Sequence, residues 1–293
     1  MQAGSSPRAL ISLLAGAVAI GFAPILVRLT EVGPTATALY RMLFALPPLW
    51  LLWLLEKRKP NAPPAPGNRR DIVAFAVAGL FFTGDLAMWH WSLQLTSVAN
   101  STLLTNFAPL FVTIGAWFLF RERITLTFML GMFVALGGAA LLVRGSMEFS
   151  SRHVFGDLIA IATALFYAGY LLAVKNLRAR FSTITIMAWS GIFSAVGFLI
   201  VALLLGEDMW PATARGWGVV VCLALVSHLL GQTLIAYAFG HLPASLSSLN
   251  LLLQPVIAAL AAWLVLAEPV TRPQAVGAAI VLAGLFVANW FRR

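Results

Sequence analysis

Residues 96–141 read TSVANSTLLTNFAPLFVTIGAWFLFRERITLTFMLGMFVALGGAAL, and residues 242–287 read LPASLSSLNLLLQPVIAALAAWLVLAEPVTRPQAVGAAIVLAGLFV. At a constant offset of 146, Pro109 matches Pro255, Trp117 matches Trp263 and Glu122 matches Glu268. Thr125 matches Thr271, Gly131 matches Gly277 and Gly138 matches Gly284. Six punctuating residues held in register inside otherwise degenerate apolar text mark a duplication. Internal repeats in an apolar, many-span chain point to transport by alternating access.

The text between these landmarks sets the class. The 293 residues are 61% hydrophobic and only 10% charged, against roughly 25% charged in a soluble domain. Runs of about 20 apolar residues, long enough to cross hydrocarbon, fall at 9–29, 35–55, 72–95, 99–119, 125–143, 155–174, 183–205, 217–239, 245–266 and 273–291. The expected fold is therefore an all-α polytopic membrane protein, ten helices in two five-helix repeats (1–146 and 147–293) around a central cavity. The Pro-rich, charged stretch KRKPNAPPAPGNRRD (57–71) reads as an extended connector. RGSMEFSSRH (144–153) separates the halves. The first span reads as an uncleaved helix, with no convincing small-residue cleavage site after it.

The net charge of +9 sits in short loops rather than on an amphipathic face with stacking aromatics, so it reads as membrane topology and not as nucleic-acid binding. Summed over alternate loops, one side collects thirteen Lys and Arg residues and the other five. The bias places both termini in the cytoplasm. Five spans per half is an odd number, so the second half enters the membrane with opposite polarity to the first. The single cysteine, Cys222, allows no intramolecular disulfide and no metal cluster.

These residues carry a resemblance. A helix with an internal Pro, an aliphatic run ending in Glu, then Thr and a Gly-spaced helix resembles the repeated EamA unit of the drug/metabolite transporter superfamily. TALYRMLFAL (37–46) resembles that family's second helix, with Arg41 at the position of its Arg. Within the superfamily the chain looks most like the YddG-type exporters of aromatic amino acids. The resemblance implies a secondary, ATP-independent transporter of a small-molecule substrate in a bacterial inner membrane, without cofactor or metal and acting as a monomer. Export of other metabolites or cationic drugs by proton antiport, with multidrug or nucleotide-sugar-type substrates, is the alternative. One departure stands out: the second repeat has Trp189 or a neighbour near the place of Arg41, so the Arg is not duplicated.

Polar groups at mid-membrane are costly and face the bundle interior or a water-filled cavity. Asp85 and His90 lie in the third span beside Trp89, with Asp85 and Trp89 on one helix face. Asp85 fits either a packing anchor bonded to a neighbour or a substrate ligand. Ser247, Asn250 and Gln254 form one stripe of the ninth span, and Thr102, Asn106, Pro109 and Thr113 form the corresponding stripe of the fourth. Tyr167, Tyr170, Trp189, Gln232 and Tyr237 are further candidates for a cavity wall, where aromatics suit flat or cationic substrates. Trp50 and Trp53 read as an interfacial belt. Pro109 and Pro255 are matched bends that suit a hinge. Arg41 fits snorkelling, attraction of a substrate carboxylate, or a lock to a partner carboxylate. Glu122 and Glu268 read as gate or cap residues at opposite faces. No hydrolase, metalloprotease or phosphate-loop signature occurs, and no paired intramembrane carboxylates, so the expectation is that the chain is not an enzyme.

Overall fold

The computed structural model describes residues 6–96, 98–143 and 154–290. The separating stretch 144–153, including Arg144 and Arg152, and the terminal Arg292 and Arg293 of the charge tally lie outside the described residues. Among the described residues, ten helices are long and apolar enough to cross a membrane. They are α1 (Pro7–Arg28), α2 (Pro34–Lys57), α3 (Arg69–Ser92), α4 (Asn100–Phe120), α5 (Leu126–Val143), α6 (Val154–Leu177), α7 (Thr183–Leu205), α8 (Ala214–Phe239), α9 (Ala244–Leu266) and α10 (Arg272–Asn289). Helices dominate because hydrocarbon offers backbone N–H and C=O groups no partners, and a helix satisfies them within one segment. An even number of spans puts both chain ends on one face, the terminal face; the other is the distal face.

Local sequence sets the ends. Asn68 accepts a hydrogen bond from the Asp71 N–H at 2.9 Å to start α3. Ser182 accepts from the Thr185 N–H at 3.1 Å to start α7, and Thr213 from the Gly216 N–H at 3.0 Å to start α8. These are side-chain N-caps. Gly206 ends α7 in the left-handed region at φ 61°.

Packing follows a pseudo-two-fold pattern. α1 packs on α8 as α6 packs on α3, while α2 pairs with α7 and α5 with α10. The α5–α10 pair is the tightest. A Cβ at Gly138 would stand 2.5 Å from the Val281 nitrogen, and one at Gly284 would stand 2.5 Å from the Ala135 nitrogen. Glycine at the four matched positions 131, 138, 277 and 284 therefore lets two backbones touch across the repeat boundary.

Two spans are interrupted. α4 breaks between Thr105 and Ala108, and α9 between Asn250 and Leu253, so each has a first and a second piece, the first piece of α4 beginning at Val98 just ahead of its apolar window. Both breaks precede the matched prolines: Pro109 and Pro255 supply no N–H, and the ring crowds the carbonyl four residues earlier. Around the breaks, bonds tighten to three-residue spacing, with Phe107 N–H to Leu104 O at 3.1 Å and Leu252 N–H to Leu249 O at 3.0 Å. Two further irregularities have no counterpart in the sequence reading. α1 bends at Phe22, just before Pro24, and α8 carries a π-helical stretch over Leu223–Gln232.

Candidate functional site

A cavity of about 570 Å³ opens among α1, α2, α3, α4, α6, α8 and α9. Its rim is Pro24, Arg28 and Pro34 on the distal face, and its lining descends to Ser248 and Leu251 near mid-span. No residue from the terminal-face loops lines it. On that side α9 packs against the second piece of α4, and Glu122 caps the start of α9. Its carboxylate accepts from the Ala244 N–H at 2.6 Å, the Ser245 N–H at 3.1 Å and the Ser245 hydroxyl at 2.6 Å.

Arg41 of α2 and Asp85 of α3 both line the cavity while being 7% and 6% exposed. The ion pairs among the described residues include Arg28–Glu268 and Arg180–Asp71 but none between Arg41 and Asp85, so the two side chains line the cavity without closing on each other. The Arg41 guanidinium lies 5.9 Å from the Phe82 ring centroid. Nine buried side-chain nitrogens among the described residues have no protein partner, and four of them bear on the cavity: Arg41 Nε, His90 Nδ1, Asn106 Nδ2 and Gln254 Nε2. Each belongs to a cavity-lining residue. Buried polar groups are normally hydrogen-bonded, so four unpartnered nitrogens around one space describe a surface built to receive a polar ligand. The wall also carries Phe82, Leu86, Trp89, Tyr167 and Leu171, and hydroxyl or amide groups of Thr37, Thr102, Thr105, Gln232 and Ser248.

The structure thus brings Arg41, Asp85, Trp89, His90, Asn106, Tyr167, Gln232, Gln254, Pro109 and Pro255 to one cavity. Tyr170 stands just behind the wall, its ring 4.9 Å from Phe82 and its hydroxyl 3.9 Å from the Met187 sulfur. Asn250 does not join them. Its amide donates to the Leu246 carbonyl at 2.8 Å and pairs with Asn289 of α10. The break at Leu251–Leu252 interrupts the 3.6-residue period, so the stripe joining Ser247, Asn250 and Gln254 does not survive folding. Trp189 also lies elsewhere, near the terminal face, in an aromatic knot with Trp50 at 5.4 Å, Trp53 at 6.2 Å and Phe75 at 6.3 Å. Trp50 and Trp53 thereby pack inward rather than forming a simple belt. Tyr237 sits at the terminal end of α8, its ring 4.3 Å from that of His241 and tilted against it by 38°. Glu268 pairs with Arg28 at 2.8 Å on the distal rim.

Among the lining residues that escaped the sequence reading are Phe82 and Arg28. Phe82 stands three residues before Asp85 and seven before Trp89, so helical spacing alone could have placed it on the same face. Arg28 carried no such signal. Among the described residues no cluster of His, Cys, Asp and Glu could hold a metal ion.

Residues 7–144 and 154–290 each match the EamA-like transporter family. An uncharacterized transporter of Bacillus subtilis, YetK, is 27% identical over 247 residues, covering 82% of this chain and 73% of its own. The pseudopaline exporter CntI of Pseudomonas aeruginosa is 28% identical over 218 residues, covering 74% of this chain and 75% of its own. One crystal structure superposes with a TM-score of 0.82 over 96% of both chains at 19% identity, a likeness of fold.

Proposed function

We propose that this chain, which belongs to the EamA-like transporter family, exports aromatic amino acids and related small zwitterions by alternating access. Family membership makes it a transporter and a multi-pass membrane protein. One observation carries the finer reading: Arg41 and Asp85 present a guanidinium and a carboxyl group, with no ion pair between them, to a cavity whose wall also holds Phe82, Trp89 and Tyr167. A guanidinium offers a carboxylate up to two parallel donors, and a carboxylate accepts an ammonium. Phe82, Trp89 and Tyr167 supply flat apolar faces for a ring. A volume of about 570 Å³ falls within the range of small-ligand sites.

In this reading Arg41 takes the substrate carboxylate, Asp85 the amino group, and Asn106, Gln254 and His90 the remaining polar edge. The charge bias of the loops supports cytoplasmic termini in a bacterial inner membrane, with the cavity then facing outward. The chain acts as a monomer in the bilayer. A second reading draws on the relative named as a pseudopaline exporter: a larger metabolite, or a cation exchanged against protons at Asp85.

Counterflow in proteoliposomes decides between them. Phenylalanine and tryptophan should exchange, while phenethylamine and phenylpropionate, each missing one charge, should not. Arg41→Ala should abolish exchange of the amino acids and Asp85→Asn should weaken it at least tenfold. Exchange of phenethylamine at the rate of phenylalanine, dependent on a pH gradient, would overturn the zwitterion reading in favour of cation antiport.

A further inference from the structure

The two repeated hairpins are built alike but hold different partners. Arg121 and Ala267, matched at the offset of 146, both sit in the left-handed region at φ 53° and 54°. The following Glu122 and Glu268 N–H groups each donate at 3.3 Å, to the Ala116 and Ala262 carbonyls. Thr125 and Thr271 then cap the next helix, through the Phe128 N–H at 3.2 Å and the Gln274 N–H at 3.4 Å. Each hairpin therefore leads into its Glu through the same backbone turn. Glu122 sets its carboxylate on the start of α9, where the cavity is sealed. Glu268 instead holds Arg28, where the cavity is open.

The spaces beside them differ in the same sense. At the terminal face the first piece of α9 packs directly on the second piece of α4. At the distal face a void of about 420 Å³ is lined by Thr102 of α4 on one side and by Ala259 and Glu268 on the other. Other ties between the halves occur on both faces and so distinguish neither. Glu207 accepts from the Ala36 N–H and Glu31 from Thr213 on the distal side, while Ser182 donates to Glu56 and Arg180 pairs with Asp71 on the terminal side.

We propose that Glu122 and Glu268 are alternating latches of the cavity. Glu122 on the start of α9 seals the terminal face. In the opposite state Glu268 leaves Arg28 and caps the start of α4, sealing the distal face while Glu122 lets go. The pieces of α4 and α9 swing about the breaks at Pro109 and Pro255. The Arg28–Glu268 pair is half exposed, with side chains 55% and 52% accessible, and such a pair holds only weakly. Release is therefore easy. A carboxylate on two backbone N–H groups and a hydroxyl is a stronger, charge-assisted contact. This inference rests on the alternating-access reading.

The test uses the full chain in proteoliposomes, with Cys222→Ser and one reporter cysteine. Ser247→Cys lies beneath the Glu122 contact and is fully buried; Ala259→Cys lines the distal void. In the parent, a membrane-impermeant maleimide should label position 259 and spare 247. Glu122→Gln should raise labelling at 247 about tenfold and lower it at 259, the shift that loss of a charge-assisted contact produces. Arg28→Ala should act in the same direction without touching Glu122, by freeing Glu268. Glu268→Gln added to Arg28→Ala should restore the parent pattern, a reversal that general loosening would not give. Parent rates at both reporters in Glu122→Gln and Arg28→Ala would overturn the latch. So would an Arg28→Ala shift that survives Glu268→Gln. If Glu122→Gln elutes as aggregate, the Arg28 and Glu268 variants decide the question alone. Substrate exchange by the parent in the same vesicles reports separately on the transport reading.

Discussion

Gly137 and Gly138 are neighbours in one helix, and the structure predicts opposite outcomes for the same substitution. A Cβ at Gly138 meets backbone atoms of α10, 2.5 Å from the Val281 nitrogen and 2.8 Å from the Gly277 oxygen. Backbone cannot rotate aside as a side chain can, so α5 and α10 must separate by most of an ångström along their closest seam. Overpacking of this kind costs roughly 1–3 kcal/mol. Gly137 has nothing within 4 Å of its Cβ position, so alanine there adds only the helix preference of Ala over Gly, about 1 kcal/mol in favour. That preference applies equally at Gly138 and cancels in the comparison. Gly138→Ala should therefore sit about 1–3 kcal/mol below Gly137→Ala, or roughly 2–12 °C in melting temperature at about 2–4 °C per kcal/mol. Thermal unfolding of the detergent-solubilised protein, followed by loss of the monodisperse size-exclusion peak, measures the gap. Equal melting temperatures, or a more stable Gly138→Ala, would refute the backbone contact. A Gly138→Ala/Gly277→Ala double variant should cost less than the sum of its singles, because helices already parted accept the second methyl more easily.

Removing the Phe82 ring with Phe82→Leu should raise the counterflow KM for tryptophan by about two- to tenfold, the range of an aromatic pairing of about 0.5–1.5 kcal/mol, and affect leucine less. Asn250→Ala should leave substrate KM unchanged yet lower thermal stability by about 1–3 kcal/mol, since Asn289 of α10 then loses a buried partner; a KM change without a stability change would return Asn250 to the cavity. Glu31, in the distal loop, has its carboxyl held below the ordinary 4.5 by the Thr213 hydroxyl and N–H. A lowered value means the contact stabilises at pH above the ordinary carboxylate range and is lost as pH falls through the folded value. Melting temperature should therefore drop on acidification more in the parent than in Glu31→Gln, and parallel curves would exclude that contact.

The spans were legible because hydrocarbon imposes one simple demand, and the repeat because Pro, Glu, Thr and Gly recur among interchangeable aliphatics. Asp85, Trp89 and Tyr167 were legible as cavity candidates because charged or polar groups cannot face lipid. Asn250 was misplaced for a physical reason. Helical phase was extrapolated across Leu251 and Leu252, where the chain tightens and turns. Trp189 was misjudged because depth along a span says nothing of which neighbours fill the space, and here Trp50 and Trp53 do. The partner of Glu122 lies 122 residues away at Ala244, a separation no local pattern encodes. The π-helical stretch of α8, which sets the position of Gln232, left no mark in composition.

The glycine seam between α5 and α10 also bears on how this chain can change over time. Gly131 faces Gly284 and Gly138 faces Gly277, so each repeat meets its own counterpart along one surface. A bulkier residue arriving in either copy collides with the other copy's backbone at once. Along this line the two repeats are bound to a shared history. Away from it no such reciprocity operates, and Arg41, Asp85 and His90 in one half face Gln232 and Gln254 in the other. A duplicated framework that punishes divergence at its seam, and tolerates it around its cavity, is free to acquire a new cargo without having to solve the fold again.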